Sequence, residues 1–197
     1  MNRRLYVAYG SNLNKAQMRY RCPTAELFGT GTLKDYELQF KGHPTGAFAT
    51  IAPKEGSSVP VAVWEIGPID ERNLDRYEGY PTHYFKEDVP VEVDGEQVTA
   101  MVYIMNQRMQ FGMPSPQYYA TVHEGYNDCG LDTAVLDKAV ARSAQKFYSS
   151  VVRLPQQLGM DGYDEYDSDE DPDEDEDEDL DEDPDEDELS HYFGVRF

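Results

Sequence analysis

LYVAYGSNL, residues Leu5 to Leu13, joins two kinds of chain in nine positions. Leu5, Tyr6, Val7, Ala8 and Tyr9 are a short apolar and aromatic run that reads as a buried strand. Gly10, Ser11 and Asn12 then break the run with residue types that favour tight turns and tolerate unusual backbone angles. A strand entering such a turn leaves several backbone N–H groups with no ladder partner. Aimed into a cavity, these groups can hold a carboxylate or a developing oxyanion. A plain strand end is the other reading of the same residues.

Downstream, Asn14 to Arg21 (NKAQMRYR) reads as a short helix that Pro23 ends. Thr32 to Phe40, Ala47 to Ala52 and Val59 to Ile66 read as strands, with a turn at Pro53–Ser58 (PKEGSS). Asp70 is expected to cap the next helix, with Glu71 in its first turn and Leu74 and Tyr77 on its inner face. Glu78-Gly79-Tyr80-Pro81 closes that helix. Tyr84 to Val93 and Gln97 to Met105 form a hairpin around Asp94-Gly95, a strong short-range hairpin signal. A segment from Gln117 to Gly125 and a last one from Asp132 are expected to be helical, the latter with Val135, Ala139, Arg142 and Lys146 near successive turns. Leu136, Val140 and Phe147 fall on its neighbouring apolar side. Six strands and a few short helices predict an α+β domain with a mostly antiparallel sheet or barrel.

Charge divides the 197 residues sharply. Residues 1–160 carry 16 basic and 18 acidic side chains, a net charge near −2, whereas residues 161–197 carry 21 acids and one base, Arg196. The formal charge of −22 therefore describes a tail, not the body. The body, residues 1–150, is long enough for one domain with a real core. Residues 151–188 read as a linker and a disordered acidic tail, since DSDEDPDEDEDEDLDEDPDEDE repels itself and has little apolar surface to bury. A near-neutral body with an anionic tail argues against nucleic-acid binding through phosphates. Cys22 and Cys129 form no CxxC pair, which fits a reducing, cytoplasmic setting. No segment has the length of a membrane span or of a signal-peptide core.

The chemistry-bearing residues are few. His43, His83, His123 and His191 have no ligand spacing, so no metal is expected. Ser11 sits in no GxSxG elbow, and Gly29 with Gly31 makes only a lone GxG. Glu78 stands out, at the end of a predicted helix between Tyr77 and Tyr80. The negative end of the helix dipole and partial burial among rings both disfavour its charged form. That moves a carboxyl towards the range where it can accept and return a proton near neutral pH. A solvated Glu at a helix end is the plainer alternative.

Three motifs, in this order, resemble the gamma-glutamylcyclotransferase family: Tyr9-Gly10-Ser11-Asn12-Leu13, Leu74-Asp75-x-x-Glu78-Gly79, and Pro114-Ser115-Pro116-Gln117-Tyr118. Gly125-Tyr126-Asn127-Asp128-Cys129-Gly130-Leu131 is similar to a further stretch of that family, and the resemblance spans about residues 5–148. It implies a small mixed, mostly antiparallel β-barrel with a few short helices and a cavity at the mouth of the first strand. It also implies Glu78 as the catalytic acid/base. Tyr6, Val7, Ala8, Tyr9, Gly10, Ser11 and Asn12 match its substrate-holding segment, and Tyr118 a substrate-contacting tyrosine. The expected substrate is a small γ-glutamyl amide, converted to 5-oxoproline with no cofactor or metal. A binding or protein-interaction module that keeps the pocket without turnover is the rival reading.

The end of the chain, Leu189 to Phe197 (LSHYFGVRF), returns abruptly to aromatics after the acids. A short apolar peptide on a long tether suits docking to a partner protein, whereas a solvated tail that only aids solubility would need no such end. Deleting residues 189–197 is then expected to remove specific co-purifying proteins in a pull-down, and an unchanged set leaves the solubility role.

Overall fold

The computed structural model describes residues 3–157; the acidic stretch and residues 189–197 lie outside the described residues. Five strands close a barrel in the order β1-β3-β2-β4-β5. They are β1 (Arg4–Ala8), β2 (Glu26–His43), β3 (Gly46–Ile66), β4 (Tyr84–Val93) and β5 (Glu96–Met105). The helices are α1 (Lys15–Arg21), α2 (Pro68–Tyr77), α3 (Pro116–Asp128) and α4 (Thr133–Gln157). α4 thus runs past the boundary at residue 150 suggested by composition.

β1 uses both its edges at once. It runs antiparallel to β3, with Tyr6 opposite Trp64 and Val7 opposite Val63, and parallel to β5, with Tyr6 opposite Met101 and Val7 opposite Val102. This single parallel pairing closes an otherwise antiparallel sheet and leaves no edge at β1. Val7, Leu33, Phe40, Ile51, Val61 and Val102 are fully buried, as the apolar runs predict. The expected hairpin forms, Val93 pairing with Glu96 across Asp94 and Gly95, both at positive φ.

Two expectations are corrected. The Pro53–Ser58 segment does not separate two strands, so the described residues form five strands and not six. The pairing register jumps there from Lys34↔Ser58 to Tyr36↔Pro53, a large bulge inside β3. Asp35 (φ 62) and Gly56 (φ +72) take the left-handed backbone, and the Gly56 N–H donates to Asp35 Oδ1 at 2.9 Å. The turn residues bend the chain, but β2 holds it in the ladder. Second, α2 starts before Asp70, with Gly67 as N-cap and Pro68 in its first turn, where a missing N–H costs nothing. Asp70 is buried in that turn, accepting from the Gly67 N–H at 3.1 Å and from the Thr24 hydroxyl. The expected last helix forms as α4, which buries Leu136, Ala139 and Ser143, while Arg142 and Lys146 reach the carboxylate of Glu37 on β2.

A 3-10 turn, Ser11–Leu13, follows β1, and α3 packs directly on it. Ser115 caps α3 by accepting from the Tyr118 N–H at 3.2 Å, which sets where Tyr118 points. Gly125, two turns on, makes the contact close: a Cβ there would lie 2.5 Å from Asn14 N and 2.7 Å from Leu13 Cβ. Gly125→Ala is therefore expected to push α3 off the turn and lower stability by about 1–3 kcal/mol. Urea unfolding with an unchanged midpoint would show that the contact relaxes at no cost.

Candidate active site

Glu78 stands at the C-terminus of α2, its N–H bonded to Leu74 O at 2.8 Å. The chain leaves the helix there because Gly79 takes φ +62. The Gly79 N–H reaches Arg76 O at 3.4 Å and the Tyr80 N–H reaches Asp75 O at 2.9 Å, the paired bonds of a Schellman ending. A Cβ at residue 79 would meet His83 at 2.6 Å, so both conformation and space call for glycine. This abrupt stop keeps the Glu78 carboxyl at the barrel mouth.

The turn after β1 supplies the opposite wall. Its first bond is Leu13 N–H to Gly10 O at 2.9 Å, so the amides of Ser11 and Asn12 precede any acceptor within the turn. Asn12 is buried, and its Nδ2 donates to Glu78 Oε1 at 3.0 Å and to the Tyr6 hydroxyl at 2.8 Å. Ser11 Oγ lies 3.2 Å from the Tyr77 hydroxyl. Between these walls lies a cavity of about 560 Å³, its open mouth included.

Tyrosines build most of the remaining surface. Tyr118 comes from α3, and its hydroxyl accepts from the Ala49 N–H at 3.2 Å. Tyr84, the first residue of β4, donates to Ala49 O at 3.0 Å, and Tyr9 donates to Tyr103 O at 2.6 Å. Because Tyr6 and Tyr118 each accept a bond from an amide, each keeps its own O–H to offer elsewhere. Burial raises both phenols above the ordinary range, so both stay protonated.

These rings also decide the state of Glu78. Burial is the largest influence and pushes its carboxyl up to about 7, against the pull of the Arg21 charge and the Asn12 hydrogen bond. The group is poised to hold or release a proton near neutrality.

Of the residues expected to form a site, Tyr6, Tyr9, Gly10, Ser11, Asn12, Glu78 and Tyr118 line this one cavity. Val7 and Ala8 do not; they are 0% and 1% exposed inside β1, opposite Val63 and Ala62. They carry the turn without touching the space it faces. Sequence reasoning missed Phe48, Ala49, His83, Tyr84 and Tyr103 on the wall and Arg21 behind it. Tyr84 and Tyr103 sit on paired strands with no local motif, so only barrel closure brings them here. Among the described residues, no group of three or more His, Cys, Asp or Glu side chains could hold a metal ion, and no helix is long and apolar enough to cross a membrane.

The fold is a small closed barrel whose mouth holds a cavity lined by tyrosines and one carboxyl, that of Glu78. The family described as "Gamma-glutamyl cyclotransferase, AIG2-like" matches residues 6–125. A gamma-glutamylcyclotransferase from Homo sapiens is 32% identical over 149 residues, covering 70% of this chain and 77% of that protein. Its counterpart from Bos taurus is 32% identical over 140 residues, covering 64% and 72%. A solved structure titled "Gamma-glutamyl cyclotransferase" superposes with a TM-score of 0.64 at 30% identity, covering 70% of this chain and 86% of that one. The chain belongs to the gamma-glutamyl cyclotransferase, AIG2-like family and is a gamma-glutamylcyclotransferase-like enzyme.

The raised carboxyl has a stability consequence. Below the ordinary value of 4.5 Glu78 is protonated in folded and unfolded chains alike. Between there and about 7 only the folded chain keeps the proton, so stability falls as pH rises through this window. Glu78→Gln has no such penalty. Its melting temperature is expected to gain on the wild type between about pH 5 and pH 8, by the equivalent of on the order of 2 kcal/mol. Parallel melting curves across that range would mean that Glu78 titrates as an ordinary carboxyl.

Proposed function

We propose that this enzyme converts a γ-glutamyl amide to 5-oxoproline and the released amine, with Glu78 as general acid/base. The observation that carries the reading is the Glu78 carboxyl, held by Asn12 at 3.0 Å on the wall of a tyrosine-lined cavity and poised near neutrality. In such a substrate the α-amine attacks its own γ-carbonyl carbon. A C–N bond forms to close the five-membered ring, and the bond from the same carbon to the departing nitrogen breaks. The nucleophile belongs to the substrate, so the protein needs no reactive Ser or Cys.

Protons must move in both halves of the reaction. The α-ammonium loses one before attack, the ring nitrogen loses a second as the lactam forms, and the departing nitrogen gains two, leaving as an ammonium. Ionised Glu78 accepts the first and, now neutral, returns it, a contribution of roughly 10²–10⁴ in rate. Between the two transfers the carbonyl oxygen carries negative charge. The Ser11 and Asn12 amides and the O–H groups of Tyr6 and Tyr118 are the donors available for that oxyanion and for the substrate's α-carboxylate. Folding the glutamyl arm in a confined space adds the proximity effect, which can be large.

The test is 5-oxoproline release from γ-glutamyl-alanine, γ-glutamyl-ε-lysine, a γ-glutamyl alkylamine and glutathione. Release is expected from at least one, rising with pH through about 7 as Glu78 ionises. Glu78→Gln is expected to lower turnover by about 10²–10⁴ while keeping the fold. No release from any substrate, or near-normal turnover in folded Glu78→Gln, overturns the assignment.

A further inference from the structure

Arg21 ends α1 with its guanidinium turned back towards the β1 turn. Nη1 donates to Asn12 Oδ1 at 2.7 Å and to Ser11 Oγ at 3.1 Å, and Nη2 donates to Gln17 Oε1 at 2.7 Å. The guanidinium carbon lies 3.7 Å from the centre of the Tyr77 ring, a cation–π contact. The Arg21 carbonyl also accepts from Asn73 Nδ2 on α2 at 3.0 Å, tying the two helices together. Arg21 is not on the cavity wall; Asn12, Ser11 and Tyr77 stand between it and that space.

The donor inventory makes this contact directional. A guanidinium has only donors and an ionised carboxyl only acceptors, whereas the Asn12 amide has one end of each kind. With Arg21 on one side, the oxygen must face it and the NH₂ must face Glu78 and Tyr6. The inverted amide would set oxygen against the Glu78 carboxylate and NH₂ against the guanidinium, losing two charge-assisted bonds.

We propose that Arg21 is a positioning residue for the reaction: it fixes the orientation of the Asn12 amide and so holds the Glu78 carboxyl where it exchanges a proton with the substrate. This rests on the acid/base reading of Glu78 above. Its charge acts on Glu78 as well, opposing the effect of burial. The other groups facing Glu78 cannot take over that task. Tyr6 of β1, Tyr9 beyond it, Tyr77 of α2, Tyr84 of β4, Tyr103 of β5 and Tyr118 of α3 are all raised by burial and stay neutral. Burial also pushes the Cys22 thiol up to about 12. Asp75 is bonded to the Tyr103 hydroxyl at 2.6 Å and paired with Lys86 at 2.6 Å, one layer further out. His83 lines the cavity and is titratable, so the test must read Glu78 directly.

The experiment uses the full chain and a labelled carboxyl carbon followed by NMR, with the Glu78 signal assigned by its absence from Glu78→Gln. Arg21→Gln is expected to raise the titration midpoint of Glu78 and to cut kcat for 5-oxoproline release about tenfold near neutral pH, KM changing less. The acid limb of the pH–rate profile moves with the midpoint. Arg21→Lys keeps the charge and much of the midpoint but not kcat, since an ammonium lacks the planar fork that reaches Asn12, Ser11 and Gln17 together. Asn12→Ala lowers kcat in the wild type and adds little to Arg21→Gln, because the two act as a unit.

A folded Arg21→Gln with an unmoved midpoint and wild-type kcat overturns the proposal. Should that variant fail to fold, wild-type kcat in Arg21→Lys overturns it instead. A wild type that releases no 5-oxoproline, with the Glu78 midpoint still shifted in Arg21→Gln, overturns the acid/base reading and leaves the coupling of Arg21 to Glu78 standing.

Discussion

The hydrogen bond from Asn12 Nδ2 to Glu78 Oε1, 3.0 Å long, spans 66 residues and joins the two halves of the site. One end belongs to a turn forced by the end of β1, the other to a helix stopped by Gly79. A buried carboxyl with no partner would lose its charge altogether, and one paired directly with a cation would keep it at every physiological pH. An amide donor lies between these limits. It favours the ionised form enough to offset part of the desolvation, with the Arg21 charge acting from behind at one remove.

Barrel closure is what makes the amide available. β1 is bonded on both edges, to β3 and to β5, so its end has a fixed direction and the turn after it cannot slide. α3 then clamps the turn from outside through Gly125. The long β2–β3 hairpin absorbs its surplus residues in the β3 bulge between Pro53 and Ser58, which does not line the cavity. The scaffold is thus regularly paired beneath the candidate site and irregular in the β2–β3 hairpin.

A wall of tyrosines suits the proposed chemistry better than a wall of aliphatic side chains. Their rings exclude water and raise the carboxyl, while the hydroxyls supply neutral donors that burial keeps protonated. Several of these hydroxyls are bonded to backbone, Tyr9 to Tyr103 O and Tyr84 to Ala49 O, so they hold strands as well as shape the space. Tyr6 and Tyr118 differ in accepting from N–H groups, which leaves their protons outward.

Local order was legible in residues 5–13, in the Asp94-Gly95 hairpin and in the helix end at Glu78-Gly79, because each follows from backbone preference and short-range bonding. The motif order named the family and pointed to Glu78, Tyr118 and most of the turn. What the chain could not reveal locally are Arg21, Tyr84, Tyr103 and the Ala49 backbone, whose roles exist only once five strands close and bring α1 behind the turn. The same limit explains the misread turn at Pro53–Ser58: its residues favour bending, but pairing with β2 decided that the bend would be a bulge. Sequence alone determined which residues can form a strand, a turn or a proton-exchanging carboxyl. Tertiary structure decided which of them share a low-dielectric space, because burial and long-range hydrogen bonds set the protonation of Glu78 and neither is encoded within reach of residue 78.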